Sequence, residues 1–287
     1  MEATALVRED GSTVTSGVTA RVPWWSFTKT VLAIATLRLA EQSRIDLNRS
    51  IDDKPYTPAQ VLRHEAGLPD YGELPTYHAA VAARQEPWTV EQLWAASEAD
   101  RLRYEPGRGW AYSNIGYFLV TRLIEKASDR PLADALIDLV FTPADVPTAR
   151  LARVPQDLFD VCMGDAIGYH PGWVYHGLVV GTAADAALLL HRLFAGALLG
   201  AAALERMRDA IPLPRFRSDL HPDPAYGLGL MMPASRSTDP QMGHTGGGPG
   251  SRIAVYARKG MTCAVWSAAT SPIDPEAQAF RTLGALD

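Results

Sequence analysis

The sequence predicts an α+β fold: an antiparallel sheet built from both ends of the chain, flanked by helices, with a mostly helical lobe inserted. Three observations carry this. β-prone runs occupy the two ends, at residues 4–8, 12–20, 251–257 and 261–268. Tight-turn signals, Glu9-Asp10-Gly11 and Arg258-Lys259-Gly260, join those runs in pairs. Between the ends lie longer apolar runs with helix-start residues. Residues 1–52 and 177–287 then form the sheet lobe and 53–176 the helical lobe, one structural domain with any active site between the two.

Taken in order, the first hairpin spans residues 4–20. Pro23 and Trp24-Trp25 follow, then a helix over 26–42 that is apolar on all sides and so belongs in the core. Thr57-Pro58-Ala59-Gln60 combines a cap residue with proline at the first helical position, and Gly67-Leu68-Pro69-Asp70 closes that helix. Thr89 starts another helix, Ser113-Asn114 a third over 115–124, and residues 132–139 form a fourth, short one. A long irregular stretch covers 144–175. Thr182 caps a helix through Leu193, with Asp185 three residues on as a capping-box variant. Residues 226–232 alternate with glycine ahead of the C-terminal strands, and 275–283 reads as a last helix.

Composition narrows the function classes. The chain has 287 residues, 47% hydrophobic and 21% charged, with a formal net charge of -5. It carries no Lys/Arg run, so neither nucleic acid nor an anionic membrane surface is an expected partner. Two cysteines, Cys162 and Cys263, stand far apart and read as buried free thiols rather than a disulfide framework. The N-terminus has neither a basic start nor a 7–15-residue apolar run, and residues 186–199 are broken by His191-Arg192, so a cytoplasmic protein is the expectation. His170, His176, His191 and His221 show no zinc-ligand spacing, and no cofactor is expected.

Three short motifs carry chemistry. Ser26-Phe27-Thr28-Lys29 places a hydroxyl and an amine three residues apart, on one helix face. A hydroxyl is a poor nucleophile until a base takes its proton, and a lysine in a dry pocket loses enough of its pKa to serve. Tyr112-Ser113-Asn114 lies at a turn-to-helix junction, and His244-Thr245-Gly246 just before a β-prone segment. Alone, each has a plainer reading. Ser26 caps a helix, Tyr112 is a core tyrosine, Asn114 is a cap, and the histidine motif is a turn. With 14 Ser, 4 Lys, 10 Tyr, 2 Asn, 7 His, 19 Thr and 23 Gly in the chain, all three arise together by chance on the order of a few times in ten thousand. Acyl transfer needs what they supply: a nucleophile, a proton acceptor, and a strand whose glycines Gly246-Gly247-Gly248 let a substrate approach the backbone.

With these motifs in order, the chain resembles the serine β-lactamase and penicillin-binding family, in the branch of class C β-lactamases, D,D-peptidases and β-lactamase-like esterases. The segments 61–71, Tyr104-Glu105-Pro106-Gly107, Gly181-Thr182-Ala183-Ala184-Asp185 and Tyr226-Gly227-Leu228-Gly229-Leu230 extend the resemblance from about residue 20 to 260. It implies a β-lactamase/transpeptidase-like fold and a serine hydrolase. Ser26 would be the acylated nucleophile and Lys29 would share its proton. Tyr112 would be the general base, its phenol shifted downward by nearby cations. Asn114 would hold the substrate amide or Lys29, and His244 would face the pocket from an edge strand. The backbone N–H groups of Ser26 and Gly247 would form the oxyanion hole, with Thr245 and Gly246 beside the substrate. His244 stands where many relatives carry lysine, which weakens a carboxylate clamp, and Ala66 stands where relatives often carry serine. No Glu-x-x-Leu-Asn segment of the class A type is present. The implied activity is ester or amide hydrolysis on a small ester, amide or lactam. The alternatives are a D,D-peptidase or weak β-lactamase, and a non-catalytic lactam- or peptide-binding protein. His64 reads as structural, bonding backbone. Trp24 and Trp25 either wall the pocket or pack beneath the sheet, Trp173 and Tyr175 are candidates for its rim, and the loops at 71–87 and 144–175 are expected to shape it.

Overall fold

The computed structural model describes residues 1–235 and 239–285. The N-terminal run forms the hairpin β1 (Glu2–Val7) and β2 (Thr13–Gly17), and the C-terminal run forms β10 (Ser251–Arg258) and β11 (Met261–Ala268). β1 pairs antiparallel with β11, Glu2 opposite Ser267 and Val7 opposite Thr262, so the two ends share one sheet as expected. β10 turns into β11 through Lys259 and Gly260, both at positive φ, +49° and +70°. Two such residues make the hairpin turn whose twist matches the strands. β9 (Met242–Gly248), β8 (Met231–Pro233), β7 (Pro224–Tyr226) and β6 (Ile211–Pro212) extend the sheet to eight strands in the order β2-β1-β11-β10-β9-β8-β7-β6. A smaller sheet joins β3 (Val22–Pro23), β5 (Leu178–Gly181) and β4 (Arg150–Ala152), with β5 between the other two.

Successive side chains of β10 point to opposite faces. Ile253, Val255 and Ala257 enter the main core, while Ala254 and Tyr256 pack with Cys263, Val265, Ala279 and Phe280 under the C-terminal helix. The sheet is therefore covered on both sides, by that helix, Pro275–Thr282, on one and by Ala183–Phe194 on the other. The helix at Thr28–Glu41 is buried from Thr28 through Leu37, matching its all-round apolar character.

In chain order the helices are α1 (Thr28–Glu41), α2 (Pro58–Leu62), α3 (Pro75–Ala82), α4 (Val90–Ala96), α5 (Asn114–Ser128), α6 (Leu132–Leu136), α7 (Ala183–Phe194), α8 (Ala201–Met207) and α9 (Pro275–Thr282). Thr57 and Thr89 form full capping boxes with Gln60 and Gln92 at the starts of α2 and α4. Several expectations are corrected. α3 lies in a stretch expected to be loop, and Ile137–Phe141 continues α6 as one π turn. The Asp185 carboxylate turns away from its own cap to accept from Thr148 N–H at 2.8 Å, so no box forms at Thr182. Both cysteines are free, but only Cys263 is buried, Cys162 being half-exposed. Among the described residues no helix is long and apolar enough to cross a membrane.

Candidate active site

After β3 the chain makes a 3-10 turn at Trp25–Phe27 before α1 begins. Trp25 has φ +43°, a left-handed conformation that costs a bulky residue on the order of 1–3 kcal/mol. Its indole is buried and donates from Nε1 to Ser251 Oγ at 3.1 Å, which holds the turn in place. Ser26 is left partly exposed between buried Trp25 and Phe27. Three residues on, Lys29 occupies the first turn of α1 and is 0% exposed.

Lys29 Nζ lies 3.2 Å from Ser26 Oγ, 2.7 Å from Asn114 Oδ1 and 3.2 Å from His176 Nε2. It also sits over the Tyr112 ring, 4.7 Å from its centroid. Burial draws its pKa down to about 7, against the opposing pull of the Asp70 carboxylate. The amine is thus available near neutral pH. Asn114 stands at the start of α5, where the Ser113 side chain caps the helix by accepting from Gly116 N–H at 2.9 Å. Asp70 Oδ1 accepts from Asn114 N–H at 3.0 Å, which fixes the residue whose Oδ1 accepts from Lys29.

Tyr112 O–H donates to Ser26 Oγ at 2.8 Å. Its phenol was expected to be acidified by cations, and the structure corrects that. The protein enclosing the hydroxyl raises its pKa above the usual tyrosine value. The nearby cation, Lys29, is itself drawn toward neutrality. The ring stacks on His64 at 4.4 Å between centroids. His64 is buried, and its Nδ1 accepts from Ser113 N–H at 3.0 Å, the backbone-bonding part expected of it.

The opposite wall is β9. Although interior in the sheet order, among the described residues it meets β8 only at Met231–Gly243, so from His244 onward its edge there is unpaired and faces the Ser26 turn. Gly246 is required here: a Cβ would lie 2.7 Å from Ser26 N and 2.7 Å from Trp24 O. His244 is buried, with Nδ1 against the Thr245 carbonyl oxygen and Nε2 2.8 Å from Tyr226 Oη. An N–H to the carbonyl leaves Nε2 to accept from the phenol. Burial lowers the His244 pKa to about 3, so the ring is neutral.

Ser26, Tyr112, His244, Thr245, Gly246 and Gly247 all line one cavity of about 260 Å³, with Lys29 and Asn114 behind Ser26. The remaining wall is mostly apolar, from Trp110, Leu213, Phe216, Tyr226, Met231 and Met232, with His221 among them. That wall corrects the expectation that the loops at 71–87 and 144–175 shape the pocket. Trp173 and Tyr175 instead join Tyr71, Tyr77 and Trp88 in an aromatic cluster, and Trp24 and Trp25 pack internally. His176 was passed over in the sequence, where its only signal is a histidine before the buried strand β5. Among the described residues no group of three His, Cys, Asp or Glu side chains could hold a metal ion.

The model of the Beta-lactamase family matches residues 2–286. The chain belongs to the Beta-lactamase family. Its fold is the β-lactamase/transpeptidase fold. A D-stereospecific amidohydrolase from Streptomyces superposes with TM-score 0.76 at 25% identity, covering 92% of this chain and 88% of that one. The octameric penicillin-binding protein homologue from Pyrococcus abyssi shares the fold with TM-score 0.80 at 19% identity, over 99% and 74%. Among curated proteins, penicillin-binding protein 4* of Bacillus subtilis is 31% identical over 138 residues, 44% of this chain and 29% of that protein. A D-aminopeptidase of Cereibacter sphaeroides is 28% identical over 122 residues, 40% and 23%. The matched stretches are thus less than a third of those curated relatives' lengths. Family and neighbours point to a hydrolase of the serine β-lactamase family.

Proposed function

We propose that this chain is a serine hydrolase working through an acyl-enzyme on Ser26, cleaving esters or amides whose acyl group is apolar and uncharged. The observation that carries the reading is the pairing of Ser26 Oγ with Lys29 Nζ at 3.2 Å and Tyr112 Oη at 2.8 Å, at the mouth of an apolar cavity. The neutral Lys29 amine takes the Ser26 proton as Oγ bonds the acyl carbon, and the carbonyl electron pair moves onto its oxygen. Ser26 N–H and Gly247 N–H receive that oxyanion. Collapse breaks the bond to the leaving group, which departs with a proton that Tyr112 O–H is placed to supply and Lys29 to restore. Water then repeats the course with Ser26 as leaving group.

The preference for uncharged acyl groups comes from the cavity wall. No Lys, Arg, Asp or Glu among the described residues lines it, His244 is neutral, and His221 Nε2 is engaged with Glu276 Oε1 at 2.9 Å. A carboxylate or ammonium desolvated there without a partner costs several kcal/mol. Matched p-nitrophenyl esters test this with one leaving group. The 3-phenylpropanoate should exceed both the D-phenylalanine ester, which adds an ammonium, and the 3-(4-carboxyphenyl)propanoate, which adds a carboxylate, by about a hundredfold in kcat/KM. Equal or faster turnover of either charged ester contradicts the reading. A second reading, hydrolysis of D-configured amino-acid amides, rests on the similarity to the Streptomyces amidohydrolase. Faster turnover of the D-phenylalanine ester than of the phenylpropanoate would favour it.

A further inference from the structure

His176 is a buried titratable side chain within hydrogen-bond reach of Lys29 Nζ that the scheme above leaves without a part. It stands just before β5, is 3% exposed, and its Nε2 lies 3.2 Å from Lys29 Nζ. We infer that His176 is a positioning residue: with Asn114 it takes the two hydrogens of the neutral Lys29 amine, leaving the nitrogen lone pair aimed at Ser26 Oγ. This rests on the reading of Ser26 as nucleophile and Lys29 as its base.

Tetrahedral geometry at Lys29 Nζ sets the choice. An amine nitrogen bonded to Cε has three remaining directions, and among the described residues Lys29 Nζ has three polar neighbours: Asn114 Oδ1, His176 Nε2 and Ser26 Oγ. Asn114 Oδ1 can only accept, so it holds one hydrogen in every state. The second hydrogen then decides the chemistry. If His176 Nε2 accepts it, the lone pair faces the serine. If Nε2 carries the proton, it donates into that lone pair, the second hydrogen turns to Ser26, and the base is lost. The arrangement therefore requires the neutral tautomer protonated at Nδ1.

The surroundings favour the neutral ring. Lys29 faces it from α1, Tyr117 from α5 with ring centroids 6.5 Å apart, and His64 and His244 act on it from the turn after α2 and from β9. Burial first, then the Lys29 charge and the two histidines, hold its pKa well below the usual value. Among the described residues no acceptor reaches the enclosed Nδ1, so no group on that side stabilises the doubly protonated, charged ring.

Two measurements test this. ¹⁵N-detected NMR of the histidines above pH 8 should show His176 protonated at Nδ1, and a proton on Nε2 would overturn the proposal. Second, labelling by a fluorophosphonate, followed by intact mass, should slow about tenfold to a hundredfold in His176→Leu. It should recover to within about fivefold of wild type in His176→Gln, whose Oε1 accepts from the same place. The loss should fall on kcat, with KM for the phenylpropanoate ester little changed. Wild-type labelling rates in both variants, or equal losses in Leu and Gln with folding intact, would overturn it. If His176→Leu does not fold, the tautomer and the Gln variant still decide. Absence of wild-type label on Ser26 would instead sink the parent reading.

Discussion

Replacing Tyr112 by Phe removes one hydroxyl and asks what that hydroxyl does. In the structure it donates to Ser26 Oγ at 2.8 Å, and its pKa is raised by enclosure, while Lys29 is lowered to about 7. A phenol held in its neutral form stabilises developing charge as a hydrogen-bond donor and is a poor base. A hydrogen bond to a charged group is worth about 1.5–3 kcal/mol. At about 1.4 kcal/mol per decade, the variant should lose roughly tenfold to 150-fold in kcat/KM. The acid limb of the pH–rate profile should stay near pH 7, because Lys29 sets it. The ring keeps its packing on His64, so Tm should move little. Stopped-flow acylation with a p-nitrophenyl ester from pH 5 to 9 measures both quantities. A loss beyond about ten-thousandfold, or disappearance of the acid limb, would make Tyr112 the base and refute the reasoning.

Three further outcomes follow from the same geometry. Lys29→Met keeps the buried stem and removes the amine, so kcat/KM should fall about a hundredfold to ten-thousandfold and the rise in rate through pH 7 should vanish, read by the same assay. Gly246→Ala should cut kcat/KM at least about a hundredfold while circular dichroism stays native, because its Cβ would meet Ser26 N and Trp24 O at 2.7 Å and displace the nucleophile's turn. Acid should destabilise the fold through His244: its folded pKa of about 3 lies below the ordinary 6.5, so between those values the unfolded chain binds the extra proton and stability falls with falling pH. That loss is on the order of several kcal/mol, and thermal melts from pH 7 to 3.5 should show it, reduced in His244→Gln.

The sequence carries the sheet and the catalytic constellation because both are written locally. Asp10-Gly11 and Lys259-Gly260 specify hairpins, Ser26/Lys29 and Tyr112/Asn114 sit at fixed short spacings beside element boundaries, and His244/Gly246 sit two apart within β9. What it hides depends on long-range burial. The sign of the Tyr112 shift is set by the protein packed around its hydroxyl, not by neighbours in the motif. Asp185 abandons its own cap for Thr148, 37 residues earlier, a choice only the folded chain offers. The cavity wall at Trp110, Leu213 and Phe216 and the approach of His176 to Lys29, 147 residues away, bring together side chains that share no pattern.

The central claim is a covalent acyl group on Ser26. Rapid acid quench of the enzyme during turnover of the phenylpropanoate p-nitrophenyl ester, followed by intact mass and peptide mapping, tests it directly. A single phenylpropanoyl adduct is expected on the peptide holding Ser26, absent in Ser26→Ala. Turnover without an adduct, or an adduct that persists in Ser26→Ala, would contradict it.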